Sequence, residues 1–348
     1  MVRLIGKMKY VKMSDILEVF VFLLAFTFAI LFKAFRKEFW LISENGFEAR
    51  DNGYHLFEYI RTNYPNDNVY YAIKKDSPDY EKVAVLGNTI RFGGFVHWVY
   101  YLASGVNISS QKGGGPNAAV CYILEVYGLW PTKRVFLQHG ITYRDCNYLH
   151  YNETKFSMIM CSAYPEYKFI KEKFGYPAEA VKYVGMCRFD TLEDKSENKK
   201  HILLMPTWRK WIANPTSESK RYENVDNFKD TEYYRNYNCL INNSEFYEFL
   251  ERENMKLIFY PHRNMQRFIE YFASPGERVV LADSSEYDVQ ELLKKASLLI
   301  TDYSSVFFDF GYMGKPIAYY QFDIDKFKDA HYKDGYFSYT FGIWYSKE

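Results

Sequence analysis

Cysteine is scarce and unpaired in this sequence: five residues, at 121, 146, 161, 187 and 239, with no CxxC spacing. An odd, scattered set builds neither a disulfide framework nor a zinc knuckle, and it suits reduced thiols in a cytosolic body. An excess of one charge is lacking too. Forty-four Lys and Arg against 43 Asp and Glu leave a net charge of +1, which argues against nucleic acid as a partner. There is no internal repeat and no low-complexity tract, and at 48% hydrophobic residues wholesale disorder is excluded. The 348 residues exceed one ordinary core and suit two domains plus an extra segment. The 34 Tyr and 29 Phe fit strand cores and equally fit stacking on sugars or bases, so they decide nothing.

Long apolar runs are absent except one. Residues 16–32, ILEVFVFLLAFTFAILF, are interrupted only by Glu18 and Thr27. The run is at the short limit for a bilayer span, which needs about 20 apolar residues. Basic residues precede it (Arg3, Lys7, Lys9, Lys12) and follow it (Lys33, Arg36, Lys37), and no small-residue cleavage site comes after. We expect a membrane-associating helix, spanning or lying in the leaflet, attracted to an anionic surface. On that expectation residues 1–37 form a separate segment, and the body from Phe39 onward folds without it.

The rest alternates. Phe39–Ile42 reads as a first strand, followed by an amphipathic helix. Short apolar stretches at 69–73, 83–85, 106–108, 135–137 and 158–161 read as further strands. EDKSENKK, 193–200, is the best linker. A second series follows at 202–205, 257–260, 278–281, 298–300 and 317–320. The segment 210–240, polar and aromatic without a clean period, reads as a long loop or irregular helices. Strand–helix alternation predicts α/β architecture: two parallel-sheet domains, 38–195 and 196–348, facing a cleft, with ligands beyond the carboxyl ends of the strands.

Polar clusters follow several of these strands. VFLQHGITYRD places His139 and Gly140 past one, and YVGMCRFD places Arg188 and Asp190 past another. ILLMPTWRKW places Thr207, Trp208 and Arg209, and LIFYPHRN places His262. LLITDYSSVFFDF places Asp302, Ser304, Ser305 and Asp309 where a strand turns into a helix. Paired serines there either cap the helix or leave its first N–H groups and positive dipole end for a phosphate. Taken together, two imidazoles, two guanidiniums and a helix start suit a diphosphate with a proton acceptor beside it.

HGITYRD, PTWRKW, YPH, WLISENGFEARDNGYHLFEYI and above all TDYSSVFFDFGYMGKPIAYYQFD resemble the CDP-glycerol glycerophosphotransferase family, the teichoic acid polymerase and primase group. The resemblance runs from about Phe39 nearly to the C-terminus. It implies a GT-B fold of two Rossmann-like domains with the donor held mainly by the second. It also implies transfer of glycerol phosphate or ribitol phosphate from a CDP-polyol to a lipid-linked acceptor or growing polymer. CMP is released, at the cytoplasmic face of the cell membrane, and no cofactor is needed. His139 then matches the catalytic base and His262 the second catalytic histidine, which faces the donor diphosphate. Gly140, Arg188, Thr207, Trp208, Arg209, Asp302, Ser304, Ser305 and Asp309 fall on donor-binding positions. Trp208 either stacks on the cytosine or packs in the core. The sequence departs from the family's pattern at Arg263, where proline is usual, and at Ile141–Arg144 after the His-Gly pair.

Asp323-Ile324-Asp325 has the spacing of a metal-holding DxD pair, but the paired-serine helix start belongs to the metal-independent solution, so no metal is expected. Two other classes fit the same pattern: a GT-B glycosyltransferase using a nucleotide sugar, and a non-catalytic membrane-anchored scaffold.

Overall fold

The computed structural model describes residues 13–197, 200–213, 227–330 and 335–337. Arg3, Lys7, Lys9 and Lys12 lie outside them, as do positions 198–199 of the expected linker and 214–226 of the irregular segment. Two compact units divide the chain, residues up to Ile141 with Cys146–Asp190, and Thr142–Asp145 with Thr191 onward.

In the first unit, α1 (Met13–Phe35) precedes β1 (Trp40–Ser43), α2 (Asn52–Asn63), β2 (Val69–Ile73), α3 (Tyr80–Ala84), β3 (Thr89–Arg91), α4 (Gly94–Ala103) and β4 (Val106–Ser109). Then come α5 (Ala118–Val126), β5 (Lys133–Phe136), α6 (Tyr151–Thr154), β6 (Met158–Cys161), α7 (Tyr164–Lys173) and β7 (Val181–Tyr183). All seven strands are parallel in the order β3-β2-β1-β4-β5-β6-β7. The second unit holds β8 (His201–Leu204), α8 (Glu232–Ile241), α9 (Ser244–Arg252), β9 (Lys256–Phe259), β10 (Val279–Leu281), α10 (Val289–Lys295), β11 (Leu298–Thr301), α11 (Val306–Tyr312), β12 (Ile317–Tyr319) and α12 (Ile324–Ala330). Its parallel order is β10-β9-β8-β11-β12.

Helices cover both faces of each sheet, so the central strands read as apolar runs rather than alternations. In β8 and β9 the last three residues are all buried. Each sheet begins at its middle, winds outward, and returns to the other side of its first strand. Adjacent strands whose connections leave in opposite directions open a crevice at their carboxyl ends. Those switch points lie between β1 and β4, and between β8 and β11.

Two local expectations change. Residues 83–85 are not a strand: Val83 is buried on α3, and the strand is Thr89–Arg91, where Ile90 alone is buried. A three-residue apolar run carries no period, and the Pro78-Asp79 start favours a helix that stops at positive-φ Gly87 and Asn88. The edge strand β7 buries only Val181, too weak a pattern to read alone.

The apolar N-terminal run does form one helix, α1, long and apolar enough to cross a membrane by length and composition. It is not detached from the body, however. Ala25 and Ala29 are buried against α4, Phe22 meets Trp98 edge-on at 5.4 Å, and Trp98 Nε1 donates to Glu18 Oε2 at 2.8 Å. The lone carboxylate that interrupts the apolar run is thereby satisfied by a fully buried indole.

Candidate active site

In the first unit the site grows from the carboxyl ends of β1, β4 and β5. Just past β5, Gln138 takes a left-handed backbone, φ +62°. A side chain other than glycine in that region costs on the order of 1–3 kcal/mol and persists only where its surroundings over-determine it. Here they do. Gln138 Nε2 donates to the Met160 carbonyl (2.7 Å) and to Glu166 Oε1 (2.9 Å), and its own carbonyl accepts from Asn52 Nδ2 at 2.8 Å. Glu166 is fully buried and its other oxygen accepts from Ser162 N–H. The kink turns the next residue, His139, outward, where it is exposed, while Gly140 is buried.

Crowding by protein around His139 removes enough water to pull its pKa below the ordinary histidine value. Asp51 pushes the pKa back up, Arg188 pulls it down, and a hydrogen bond to the Ser110 backbone raises it. The net result is an imidazole that is neutral near pH 7. Arg188 belongs to this same cluster in the first unit. Its Nη1 pairs with Asp51 at 2.9 Å, and its N–H donates to Asn52 Oδ1 at 3.0 Å. Asp51 also caps α2.

Beneath the start of α2 lies Glu44, 2% exposed. Tyr71 hydroxyl donates to it at 2.7 Å, and Gly53 N–H donates to it at 3.3 Å and to Ser110 Oγ at 2.7 Å. A Cβ on Gly53 would stand 2.8 Å from the Glu44 carboxylate, so a larger residue there displaces Glu44 from its hydrogen bonds. Burial first, and Asp51 second, push Glu44 up to about 7. Glu44, Asp51, Asn52 and Gln138 were not read from the sequence. The rule that found the other clusters applies to the first two: polar residues directly after a buried strand and directly before a helix.

In the second unit the residues after β8, β9 and β11 converge at that sheet's switch point, and they separate into two kinds. Arg209 and Asp302 are 0% exposed. Arg209 meets Asp302 at 2.8 Å, grips Asp323 with Nε (2.7 Å) and Nη2 (2.9 Å), and donates from Nη1 to the Thr207 carbonyl. Asp302 also accepts from Thr207 N–H at 2.8 Å and from Tyr237 hydroxyl at 2.9 Å. Burial disfavours the charge on Arg209, but Asp302, the Tyr237 hydroxyl and Asp323 outweigh it and hold the guanidinium protonated. The expectation that Arg209 and Asp302 touch a donor is therefore corrected. They form a closed internal ion pair that ties β8 to β11. Asp323 is part of it, its oxygens turned to Arg209 and Tyr303, so Asp323 and Asp325 are not a DxD pair. Asp309 is likewise buried, in the first turn of α11.

The other residues lie outside that ion pair. Thr207 Oγ1 is buried without a hydrogen-bond partner among the described residues. Trp208 is half-buried, its ring 6.2 Å from that of His262. His262 Nδ1 accepts from Asn264 N–H at 3.2 Å, which caps the helical turn that follows and leaves the proton on Nε2 in the neutral ring. At α11, Ser305 sits in the N-cap position with no side-chain cap bond. Ser304 Oγ accepts from Val306 N–H at 3.4 Å, and Ser304 and Ser305 carbonyls accept from Phe307 and Phe308 N–H. The first turn thus satisfies its own later donors.

Two parallel sheets, each started at its centre and each gathering polar residues at its switch point, define a GT-B-type α/β protein. Solved structures share that fold. The H548A variant of the wall teichoic acid polymerase TagF superposes with a TM-score of 0.62 at 18% identity, covering 95% of this chain and 84% of that one. The S. aureus MnaA–UDP structure gives 0.51 at 13% identity, over 81% and 79%. The chain belongs to the CDP-glycerol:poly(glycerophosphate) glycerophosphotransferase family, whose model matches residues 24–343. The minor teichoic acid biosynthesis protein GgaB of Bacillus subtilis (strain 168) is 36% identical over 315 residues, 87% of this chain and 33% of GgaB. This chain therefore spans about a third of that relative's length. A teichoic acid poly(glycerol phosphate) polymerase of Bacillus spizizenii (strain ATCC 23059 / NRRL B-14472 / W23) is 30% identical over 135 residues, 38% of this chain and 29% of the polymerase.

Proposed function

We propose that this chain transfers glycerol phosphate or ribitol phosphate from a CDP-activated donor to a hydroxyl of a growing teichoic-acid-like polymer, and releases CMP. Family membership supports the reaction type. The observation that carries it is His139, a neutral imidazole held outward by the left-handed Gln138. In the proposed step an acceptor oxygen attacks the β-phosphorus as its proton passes to His139. The bond from that phosphorus to the bridging oxygen breaks, and CMP leaves with the electron pair. A neutral base with a pKa near or below working pH is free to accept that proton.

Within the second unit, the Thr207 hydroxyl, without a hydrogen-bond partner among the described residues, and the uncapped Ser305 supply neutral donors for the diphosphate, with the His262 ring beside Trp208 at the same edge. Arg209 is neutralised internally, while Lys210 and Arg263 are exposed next to Arg209 and His262 in the chain. Arg188 acts in this reading through Asp51 and His139 rather than on the donor. A lipid-linked acceptor, an anionic membrane surface and a site of action at the cytoplasmic face follow from the same reading, and the apolar α1 supports the membrane part.

The test is turnover of purified protein with CDP-glycerol and with CDP-ribitol, scored by CMP release. CMP is expected to inhibit and UDP or GDP to have no effect. Absence of CMP release from both donors, with a nucleotide sugar consumed instead, overturns the reading.

A further inference from the structure

Between α1 and α4 runs an open groove of about 540 Å³, within the range of roughly 300–1,000 Å³ typical of small-molecule sites. Its walls are Phe28 and Leu31 from α1 and Phe95, Val96 and Val99 from α4, and Arg36 stands at one end. Aromatic packing shapes it, with Phe28 against Phe95 at 5.3 Å and Phe32 against Tyr100 at 5.1 Å. The apolar rim is open to solvent: Leu31 is 60% exposed and Val96 49%. Large exposed apolar patches on folded chains mark lipid or protein contact.

The charge at the end of the groove specifies the occupant further. Arg36 Nη1 donates to the Tyr70 hydroxyl at 3.0 Å and its guanidinium lies 4.9 Å over the Phe32 ring. Both partners are neutral, and no carboxylate pairs with it among the described residues. Lys33 and Lys37, both exposed, flank it. A positioned guanidinium without a counter-ion suits a phosphate. An apolar trough leading from it suits a hydrocarbon chain.

We propose that this groove binds one molecule of an anionic membrane phospholipid, a hydrocarbon chain lying between α1 and α4 and the phosphate against Arg36. The exposed rim favours a lipid drawn from the bilayer itself. The same geometry sets α1 along the surface of the first unit, with Glu18 and Trp98 joined on its inner side, rather than free to cross the membrane alone. The proposal does not depend on the transfer chemistry.

Native mass spectrometry of the full chain, released from detergent with added phosphatidylglycerol, phosphatidylcholine or a polyprenyl phosphate, tests it. One phosphatidylglycerol is expected to stay bound, at least tenfold more often than phosphatidylcholine. Val96→Trp, which fills the trough at an exposed position, is expected to abolish retention while leaving the thermal melt unchanged. Arg36→Gln is expected to erase the preference for the anionic lipid. Equal retention in wild type and Val96→Trp, or no retained phosphatidylglycerol in wild type, overturns the groove. Retention of polyprenyl phosphate with phosphatidylglycerol ignored overturns the assignment to a bilayer lipid.

Discussion

At the scale of single residues, His139 and Glu44, both at strand ends of one sheet, are held towards their neutral forms by the same cause: loss of water around them lowers the pKa of the imidazole and raises that of the carboxyl to about 7. If His139 takes the acceptor proton, His139→Ala lowers turnover by about 10²–10⁴-fold. CMP affinity measured by calorimetry should stay as it is, since the residue lies in the first unit. The acid limb of the kcat/KM profile should fall below the usual histidine range of about 6.5. Turnover within a few-fold of wild type removes His139 from the role. Glu44 gives a stability prediction with a definite sign. Its folded-state pKa is raised, so the protonated form is the one the fold favours. That stability is fully present below the ordinary value of 4.5 and is lost as pH rises to about 7. Each pH unit in that window costs about 1.4 kcal/mol, on the order of 3 kcal/mol in all. Glu44→Gln should abolish this slope in thermal melts run from pH 4.5 to 8. A variant that keeps the wild-type slope shows that another group carries it.

At the scale of elements, what matters is how one segment pins another. Gln138 takes its left-handed turn because α7, through Glu166, and α2, through Asn52, hold it from both sides. Gln138→Ala removes the side-chain anchors but not the histidine. Turnover should fall at least roughly tenfold with donor affinity unchanged, because small displacements of a catalytic group are costly. Unaltered turnover in Gln138→Ala would show that the turn needs no such anchoring. Arg209 joins β8 to β11 and to Asp323, and its removal leaves two buried carboxylates without their cation. Breaking such a pair from one side costs about 3–5 kcal/mol. Arg209→Met should therefore lower the melting temperature sharply, whereas a donor-binding arginine would leave the melt alone and weaken CMP binding.

At the scale of the whole molecule, α1 is both part of the first core and its most apolar outward surface. Deleting residues 1–37 uncovers Trp98, 0% exposed in the intact chain and in contact with Phe22 and Glu18, and removes one wall of the groove. The truncated protein should lose flotation with anionic vesicles and also melt at lower temperature. A purely appended anchor would change flotation alone. Retained flotation would place the membrane contact elsewhere.

The alternation of buried strands and helices, and the positions of the polar turns after β5, β8, β9 and β11, were legible in the residues themselves. Apolar runs bounded by turn residues need no long-range information, and TDYSSVFFDF and its companions carry the family in local pattern. The helix at 80–84 was not legible, because so short a run has no period to read. Nor were the roles of Arg209 and Asp302. In sequence they resemble ligand-facing residues as closely as Thr207 and Ser305 do. Only the fold brings Asp323, 114 positions away, against the guanidinium and so closes that charge off from solvent. The left-handed Gln138 depends in the same way on Asn52 and Glu166, 86 and 28 positions distant. Local pattern thus determined the elements, the family and the set of polar residues at the strand ends. Which of those residues are neutralised inside and which face outward was decided by tertiary structure, because burial and charge pairing are properties of neighbours in space.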